Sequence, residues 1–310
     1  MEFGVFAQLF VPKFERAADP FAEHKRIMRN VEIAKAADQN AFKYVWCPQH
    51  HFLDEYSHMP GPEAFLGHCS AITDRVHLGS AIFNITPQVN KPVRIAENVA
   101  LLDHLSGNRF EFGTGRGSST TEVYGFDIAD IDETKAMWRE SIAEIPKMWR
   151  HGPYSYEGKY FRVPEREIFP KPYGPAHPAM WVAAGSPPTF AEAAELGLGA
   201  FCFTTGAPGA LSRFVRGYKD NIGNATPVGD YINDNIMGVT NMLCMEDRKK
   251  AFEVASTMGM NYYTSLAFHW LDNIPKPAGL PEWPNKIPEP TPEAVEQMAA
   301  EGYVVIGDPD

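Results

Sequence analysis

The feature that most narrows what this sequence can fold into is a rhythm. Short apolar runs, too brief for helices, alternate with longer segments whose apolar residues recur every three or four positions. That alternation is the signature of βα units laid around a parallel sheet. Strands are expected at residues 3–7, 44–46, 77–83, 109–112, 180–184, 200–203, 236–243 and 302–306. Helices are expected at 21–39, 63–72, 93–105, 134–149, 190–196, 211–221 and 248–258. In the first helix Ile27, Val31, Ala34 and Ala37 would form the inner face. Eight strands in this order predict an α/β fold, a single (β/α)8 TIM barrel spanning residues 1–310.

Two stretches interrupt the rhythm. Residues 151–178 hold a hairpin pattern centred on Gly158 and then a proline-rich connection, which reads as an insertion. Residues 260–289 combine Tyr262, Tyr263, Phe268 and Trp270 with Pro275, Pro277, Pro281, Pro284 and Pro288. A structureless insertion of that length inside a compact domain is expected to be a mobile lid. At the end, Asp308 and Pro309 have the residue types of an N-cap and a first helical position. The barrel would then lack its last helix. The strands at 3–7 and 302–306 would expose apolar side chains unless the natural chain continues past Asp310 or a partner covers them.

Composition limits the partners. A formal net charge of −11 argues against nucleic acid or an anionic membrane surface. No apolar run approaches the roughly 20 residues a membrane helix needs, and Met1-Glu2-Phe3-Gly4-Val5-Phe6 reads as a strand rather than a signal peptide. Cys47, Cys69, Cys202 and Cys244 form no CxxC spacing, so reduced thiols and a cytoplasmic location are expected.

In a parallel barrel, chemistry sits in the loops at the strand C-termini. Pro48-Gln49-His50-His51-Phe52-Leu53-Asp54-Glu55 follows the second strand. Its histidines could ligate a metal, transfer protons or simply pack. Neighbours at a strand end point in opposite directions, which makes shared ligation awkward. One catalytic and one structural histidine is the preferred reading, with no metal. Gly113-Thr114-Gly115-Arg116-Gly117-Ser118 has the wrong glycine spacing for a dinucleotide fingerprint, yet bare amides beside an arginine suit an anion. Glycines that merely relieve crowding are the bland alternative. Ala184-Gly185-Ser186-Pro187-Pro188-Thr189 opens a helix, where capping alone or a phosphate site would account for the hydroxyls.

Taken together, these loops and the run Pro92-Val93-Arg94-Ile95-Ala96-Glu97 … Leu102-Asp103-His104-Leu105-Ser106-Gly107-Asn108-Arg109-Phe110-Glu111-Phe112-Gly113 resemble the bacterial luciferase-like flavin monooxygenases. The resemblance runs from Met1 to the Gly307 region and is clearest over the first 120 residues or so. It implies a barrel that binds FMN at the strand C-termini. His50 matches the catalytic histidine of the luciferase α subunit, and His51 matches one that the non-catalytic β subunit also keeps. Arg116 matches the arginine on the flavin phosphate, Ser186 and Thr189 match its hydroxyl contacts, and Lys135 falls near a second cationic contact. Gly117 belongs to the Gly115-Arg116-Gly117 match and Gly185 to the phosphate loop. The family's non-proline cis peptide beneath the flavin ring falls at Ala81–Ile82. Gly115 stands where the luciferase α subunit has a reactive cysteine, and Gln49 replaces an acidic residue, so light emission is not implied.

The implied reaction takes reduced FMN (FMNH2) and O2 through a flavin (hydro)peroxide to oxygenate a small apolar, carbonyl-containing substrate, with His50 as general acid/base. A separate flavin reductase would supply FMNH2. Family members dimerise through the helices at 63–72 and 93–105, where Ala64, Gly67, Ser70 and Ala71 allow close approach. A homodimer is therefore expected, with a heterodimer open. The alternatives are a deazaflavin-dependent oxidoreductase of the same superfamily, a non-catalytic flavin-binding subunit, and a barrel metal hydrolase.

Overall fold

The computed structural model describes residues 1–203, 208–272, 274 and 276–309, so Pro275 and Asp310 lie outside the described residues. In chain order the elements are β1 (Gly4–Phe6), α1 (Lys13–Ala18), α2 (Ala22–Gln39), β2 (Tyr44–Cys47), α3 (Pro62–Ser70), β3 (His77–Ser80), β4 (Phe83–Asn84) and α4 (Pro92–Ser106). There follow β5 (Phe110–Gly115), α5 (Thr120–Gly125), α6 (Glu133–Met148), β6 (Tyr154–Glu157), β7 (Arg162–Arg166), β8 (Ala179–Ala183), α7 (Pro187–Glu195) and β9 (Gly199–Phe203). The last are α8 (Pro208–Ile222), β10 (Ile236–Val239), β11 (Met242–Cys244), α9 (Arg248–Ala255), α10 (Met260–Trp270), α11 (Pro292–Ala300) and β12 (Val305–Gly307).

The main sheet runs β1-β2-β3-β5-β8-β9-β10, every pair parallel, with β4 beside β5. It curls into a nearly closed (β/α) barrel. Alternation along each strand sorts side chains to two sides. Val45, Cys47, Met180, Val182, Ala200 and Cys202 face outward into the main core under the helices. Trp46, Trp181 and Phe201 face the lumen and pack with Ala81. Gly79 admits the Trp46 indole: a Cβ there would lie 2.2 Å from the ring. Buried Glu111 accepts the Trp181 indole N–H and pairs with His77, each at 2.7 Å, which puts a polar floor at the strand N-termini.

Several expectations are corrected. Ile27 is not on the inner face of α2 but 40% exposed, while Val31, Ala34 and Ala37 are buried. The stretch at 260–289 is not structureless, because it begins with the helix α10. The run at 236–243 splits into β10 and β11, and β12 pairs with β11 rather than β10. Asp308 and Pro309 are not helical; Asp308 lies 3.5 Å from the Arg248 guanidinium. Helices α1, α5 and α11 had no counterpart in the sequence reading. The expected hairpin is present as antiparallel β6–β7. Among the described residues, no helix is long and apolar enough to cross a membrane.

Candidate functional site

Strand order decides which expected residues meet. Gln49, His50 and His51 follow β2, Ala81 and Ile82 follow β3, Gly115 to Gly117 end β5, and Gly185 to Thr189 follow β8. β2, β3, β5 and β8 are consecutive neighbours in the sheet, so these segments line one arc of the barrel's C-terminal rim.

His50 is largely buried, and its Nδ1 lies 3.3 and 3.4 Å from the two carboxylate oxygens of Glu122. The same Glu122 accepts the backbone N–H of His51 at 2.8 Å. Sequence reasoning missed Glu122, although Ser119-Thr120-Thr121-Glu122 has the pattern of a capping box. Ser119 does take the N-cap position of α5, but its hydroxyl makes no capping bond and finds no hydrogen-bond partner among the described residues. The carboxylate that would close the box is turned to the histidines instead. The Tyr56 ring stands edge-on to His50 at 5.2 Å, and burial pushes its phenol up to about 12.

His51 differs from its neighbour. Its Nε2 meets the Gln49 side-chain nitrogen at 2.8 Å and its ring packs edge-on to Phe126 at 4.8 Å. Burial holds its imidazole below the ordinary histidine range.

The glycines have steric causes. A Cβ on Gly113 would sit 1.9 Å from the Ser80 carbonyl oxygen, and one on Gly115 would sit 2.8 Å from the Ile82 side chain. Gly117 has φ +83, a left-handed conformation that favours glycine. The Ala81–Ile82 peptide is cis, as the resemblance implied.

Arg116 reaches towards α6, where its Nη1 donates to the Thr134 hydroxyl at 2.7 Å and the Ile131 carbonyl at 3.3 Å. Its Nε and Nη2 make no hydrogen bond among the described residues. Burial pulls its pKa below the usual arginine value, against the opposing pull of Asp132 and Glu192. Lys135 lies 3.4 Å from Glu192, which also takes Arg139. Glu192 stands one turn into α7 from Thr189, so Lys135 is tied to the helix that carries Ser186 and Thr189. The Ser186 and Thr189 hydroxyls are 3.0 Å apart. Pro187 and Pro188 remove two first-turn N–H donors, leaving the hydroxyls and the Gly185–Ser186 amides as the polar groups of this helix start.

Over this arc lies α10. Trp270 donates its indole N–H to the Asp54 carbonyl at 3.1 Å, and the Tyr262 hydroxyl bonds Glu55. Just past the helix, Asp272 accepts the Thr120 N–H at 2.6 Å and donates its own to the Ser118 carbonyl at 3.0 Å. Leu53, Tyr56, Leu266 and Leu271 form the buried centre of this contact, with Tyr263 stacked on Tyr56 at 5.2 Å. Among the described residues, no group of three or more His, Cys, Asp or Glu side chains is placed to hold a metal ion.

Comparison with known proteins identifies the family to which this barrel belongs. The chain matches the luciferase-like monooxygenase family over residues 1–310 and belongs to it. An uncharacterised protein of Sinorhizobium fredii is 26% identical over 283 residues, covering 91% of this chain and 78% of that protein. The oxygenase component of a flavin-dependent trigonelline monooxygenase from Acinetobacter baylyi is 25% identical, covering 60% of this chain and 50% of that protein. The alkanal monooxygenase alpha chain of the Kryptophanaron alfredi symbiont is 28% identical, covering 64% and 53%. The chain thus spans about half the length of the last two relatives.

Solved structures share the fold at low identity. Monooxygenase RslO1 from Streptomyces bottropensis has a TM-score of 0.80 at 22% identity, covering 100% of this chain and 85% of that one. The oxygenating constituent of 3,6-diketocamphane monooxygenase from Pseudomonas putida, in complex with FMN, has a TM-score of 0.78 at 20% identity, with coverage of 100% and 85%. An F420-dependent secondary alcohol dehydrogenase has a TM-score of 0.69 at 16% identity, with coverage of 100% and 86%. An F420-dependent glucose-6-phosphate dehydrogenase from Amycolatopsis mediterranei is 30% identical, covering 56% of this chain and 52% of that protein, so the chain's relatives include both flavin-dependent monooxygenases and F420-dependent oxidoreductases.

Proposed function

We propose that this chain is the oxygenase of a two-component FMN-dependent monooxygenase: one cytoplasmic barrel domain that acts as a dimer and receives FMNH2 from a separate reductase. The observation that carries the reading is the pairing of His50 with buried Glu122 on the same rim as an arginine with unspent donors. The rim fits FMN by two tests. Arg116 keeps Nε and Nη2 for an anion, and Gly115 lacks the Cβ that would press on Ile82.

Bound reduced FMN with O2 supplies the oxygenating chemistry. The protein's own residues bind, orient and exclude water. Arg116, Lys135, Ser186, Thr189 and the Gly185 backbone hold the phosphate by charge and hydrogen bonds. Ala81, Ile82, Gly115 and Gly117 leave a flat surface for the ring. His50, with Nδ1 directed at Glu122, presents Nε2 to exchange a proton with substrate. Helix α10 with Tyr263 and Trp270 covers the rim against water. This aromatic cover favours a small apolar substrate, for which a carbonyl compound is the class proposed. The names of the trigonelline and diketocamphane proteins, an oxygenase component and an oxygenating constituent, support a separate reductase. For the dimer, Leu101 and Leu105 on α4 are 49% and 55% exposed beside the small residues of α3.

A second reading, a deazaflavin-dependent oxidoreductase, is favoured by the fold shared with the F420-dependent alcohol dehydrogenase. Spectral titration with FMN and with a deazaflavin, each oxidised and reduced, separates the two. Saturable perturbation of the FMN spectrum is expected; perturbation of the deazaflavin alone would replace the first reading with the second.

A further inference from the structure

We infer that Gln49 is a positioning residue whose side-chain amide fixes His51 as a neutral imidazole protonated on Nδ1, leaving His50 as the one histidine of the pair that exchanges a proton. The inference rests on the proposed proton-transfer role of His50 for its functional meaning, but its geometry stands independently.

The orientation of the Gln49 amide is set from its acceptor end. One terminal atom receives the backbone N–H of Asn84 at 2.9 Å and the Asn90 side-chain N–H at 3.1 Å. The Asn90 orientation is fixed in turn, because the same nitrogen donates to the Asn84 carbonyl at 2.8 Å. A backbone N–H can only donate, so this end of Gln49 is the oxygen and the other is the NH2. That NH2 lies 2.8 Å from His51 Nε2. An amide NH2 can only donate, so His51 Nε2 carries a lone pair. A protonated imidazole would set two N–H groups head to head at that distance. Gln49 and Asn84 are both buried, so no water takes over either role cheaply.

The charged and titratable groups facing His51 do not reverse this. Glu122 from α5 and Glu63 from α3 favour the imidazolium, whereas burial and the adjacent His50 disfavour it, with burial the largest influence. Glu122 also spends its oxygens on the His51 backbone N–H and on His50 rather than on the His51 ring. Two neighbouring histidines thus receive different tasks. The His50 Nδ1 faces the Glu122 carboxylate, and the His51 Nε2 faces an amide donor that forbids a proton there.

The test is nitrogen NMR of the unliganded full chain with labelled histidine, the His51 signals being those lost in His51→Asn. Expected between about pH 5.5 and 8 is a His51 that keeps an unprotonated Nε2 and a protonated Nδ1. In Gln49→Glu the new carboxylate still accepts the Asn84 N–H but now invites a proton onto Nε2. The His51 imidazolium should then persist to at least about one pH unit higher. In Gln49→Met, which removes both donor and acceptor, a mixture of the two tautomers is expected. A protonated Nε2 in the native protein would overturn the inference. So would a complete Nδ1–H tautomer in Gln49→Met, or His51 titration left unmoved in a folded Gln49→Glu. FMN binding is read separately by titration. Its absence would remove the proposed function while leaving the tautomer result in place, and a wrong tautomer beside normal FMN binding would do the reverse.

Discussion

The Nδ1 of His50 lies 3.3 Å from Oε1 of Glu122, a carboxylate 72 residues further along the chain. That same oxygen holds the His51 backbone N–H at 2.8 Å. One buried acceptor therefore fixes both the backbone after β2 and the ring of His50, so the angle at which Nε2 is offered cannot drift independently of the strand end.

Replacing that carboxylate by its amide should preserve shape and remove charge. For Glu122→Gln, turnover with any accepted substrate is expected to fall by about 10²- to 10⁴-fold, the usual weight of a positioned acid/base group. FMN affinity should be unchanged, since Glu122 is not among the phosphate contacts. Steady-state turnover on a panel of aldehydes and ketones with a flavin reductase, read beside FMN titration, makes the check. Native turnover in the variant would dismiss the pair.

The barrel was legible because period-two and period-three-to-four patterns report burial directly, and the rim followed from strand order. Other parts were hidden for physical reasons. Helix α10 carries apolar residues at helical spacing, Tyr262, Tyr263, Leu266, Ala267 and Trp270, but the prolines that follow coloured the whole segment as loop. Helix α5 is six residues long, too short for a periodic signal, and Glu122 was hidden with it. The run that most clearly marks the family is architectural here. Arg109 clasps the Thr73 and Val76 carbonyls, and Asp103 accepts the Tyr173 N–H at 2.8 Å while burial raises its carboxyl pKa. Residues that identify the fold and residues placed for chemistry are thus largely different sets.

Two glycines two positions apart, Gly113 and Gly115, should fail differently. Gly113→Ala drives a Cβ into the Ser80 backbone carbonyl, which cannot yield without breaking the β3–β5 contact. Gly115→Ala meets the Ile82 side chain first, not backbone, so it should cost about 1–3 kcal/mol as overpacking and weaken FMN binding. Thermal unfolding with and without FMN distinguishes them: Gly113→Ala is expected to be the less stable without ligand. Equal stability of both variants and the native protein would show that these close approaches relax freely.

Asp272 ties the end of α10 to the start of α5 through Thr120 and to the loop before it through Ser118. Asp272→Ala should remove the side-chain half of that tie while keeping the backbone bond to Ser118, loosening the end of α10 to limited proteolysis and speeding amide exchange at Thr120. Loss of a charge-assisted bond of this kind costs about 1.5–3 kcal/mol. Unaltered cleavage and exchange would mean that the apolar contact around Leu266 holds the helix alone.

Stability should decline on the acid side in part through His177. Its Nδ1 pairs with the Pro178 carbonyl and its Nε2 accepts the Asp230 N–H, both at 2.8 Å, so the ring is neutral. Burial holds its pKa below the ordinary value. The unfolded chain therefore binds the proton first as pH falls. This stabilising contribution is complete above about pH 6.5 and is lost on descent towards the folded pKa, by at most about 1.4 kcal/mol per pH unit. His51 and His269 are shifted the same way by burial, so His177→Gln should flatten the acid limb only in part. Thermal midpoints at pH 7.5 and 5.5 test this; an acid limb equally steep in the variant would rule His177 out.

The most direct test is FMN titration of the native protein beside Arg116→Ala, followed by absorbance and fluorescence. Among the described residues Arg116 spends only Nη1, and the remaining donors are assigned to the flavin phosphate. Saturable binding by the native chain is expected, weakened about 10- to 100-fold in the variant through loss of roughly 1.5–3 kcal/mol of charge-assisted contact. Equal affinity in the two proteins would move the phosphate elsewhere, and no FMN binding by the native protein would remove the cofactor on which the proposed function depends.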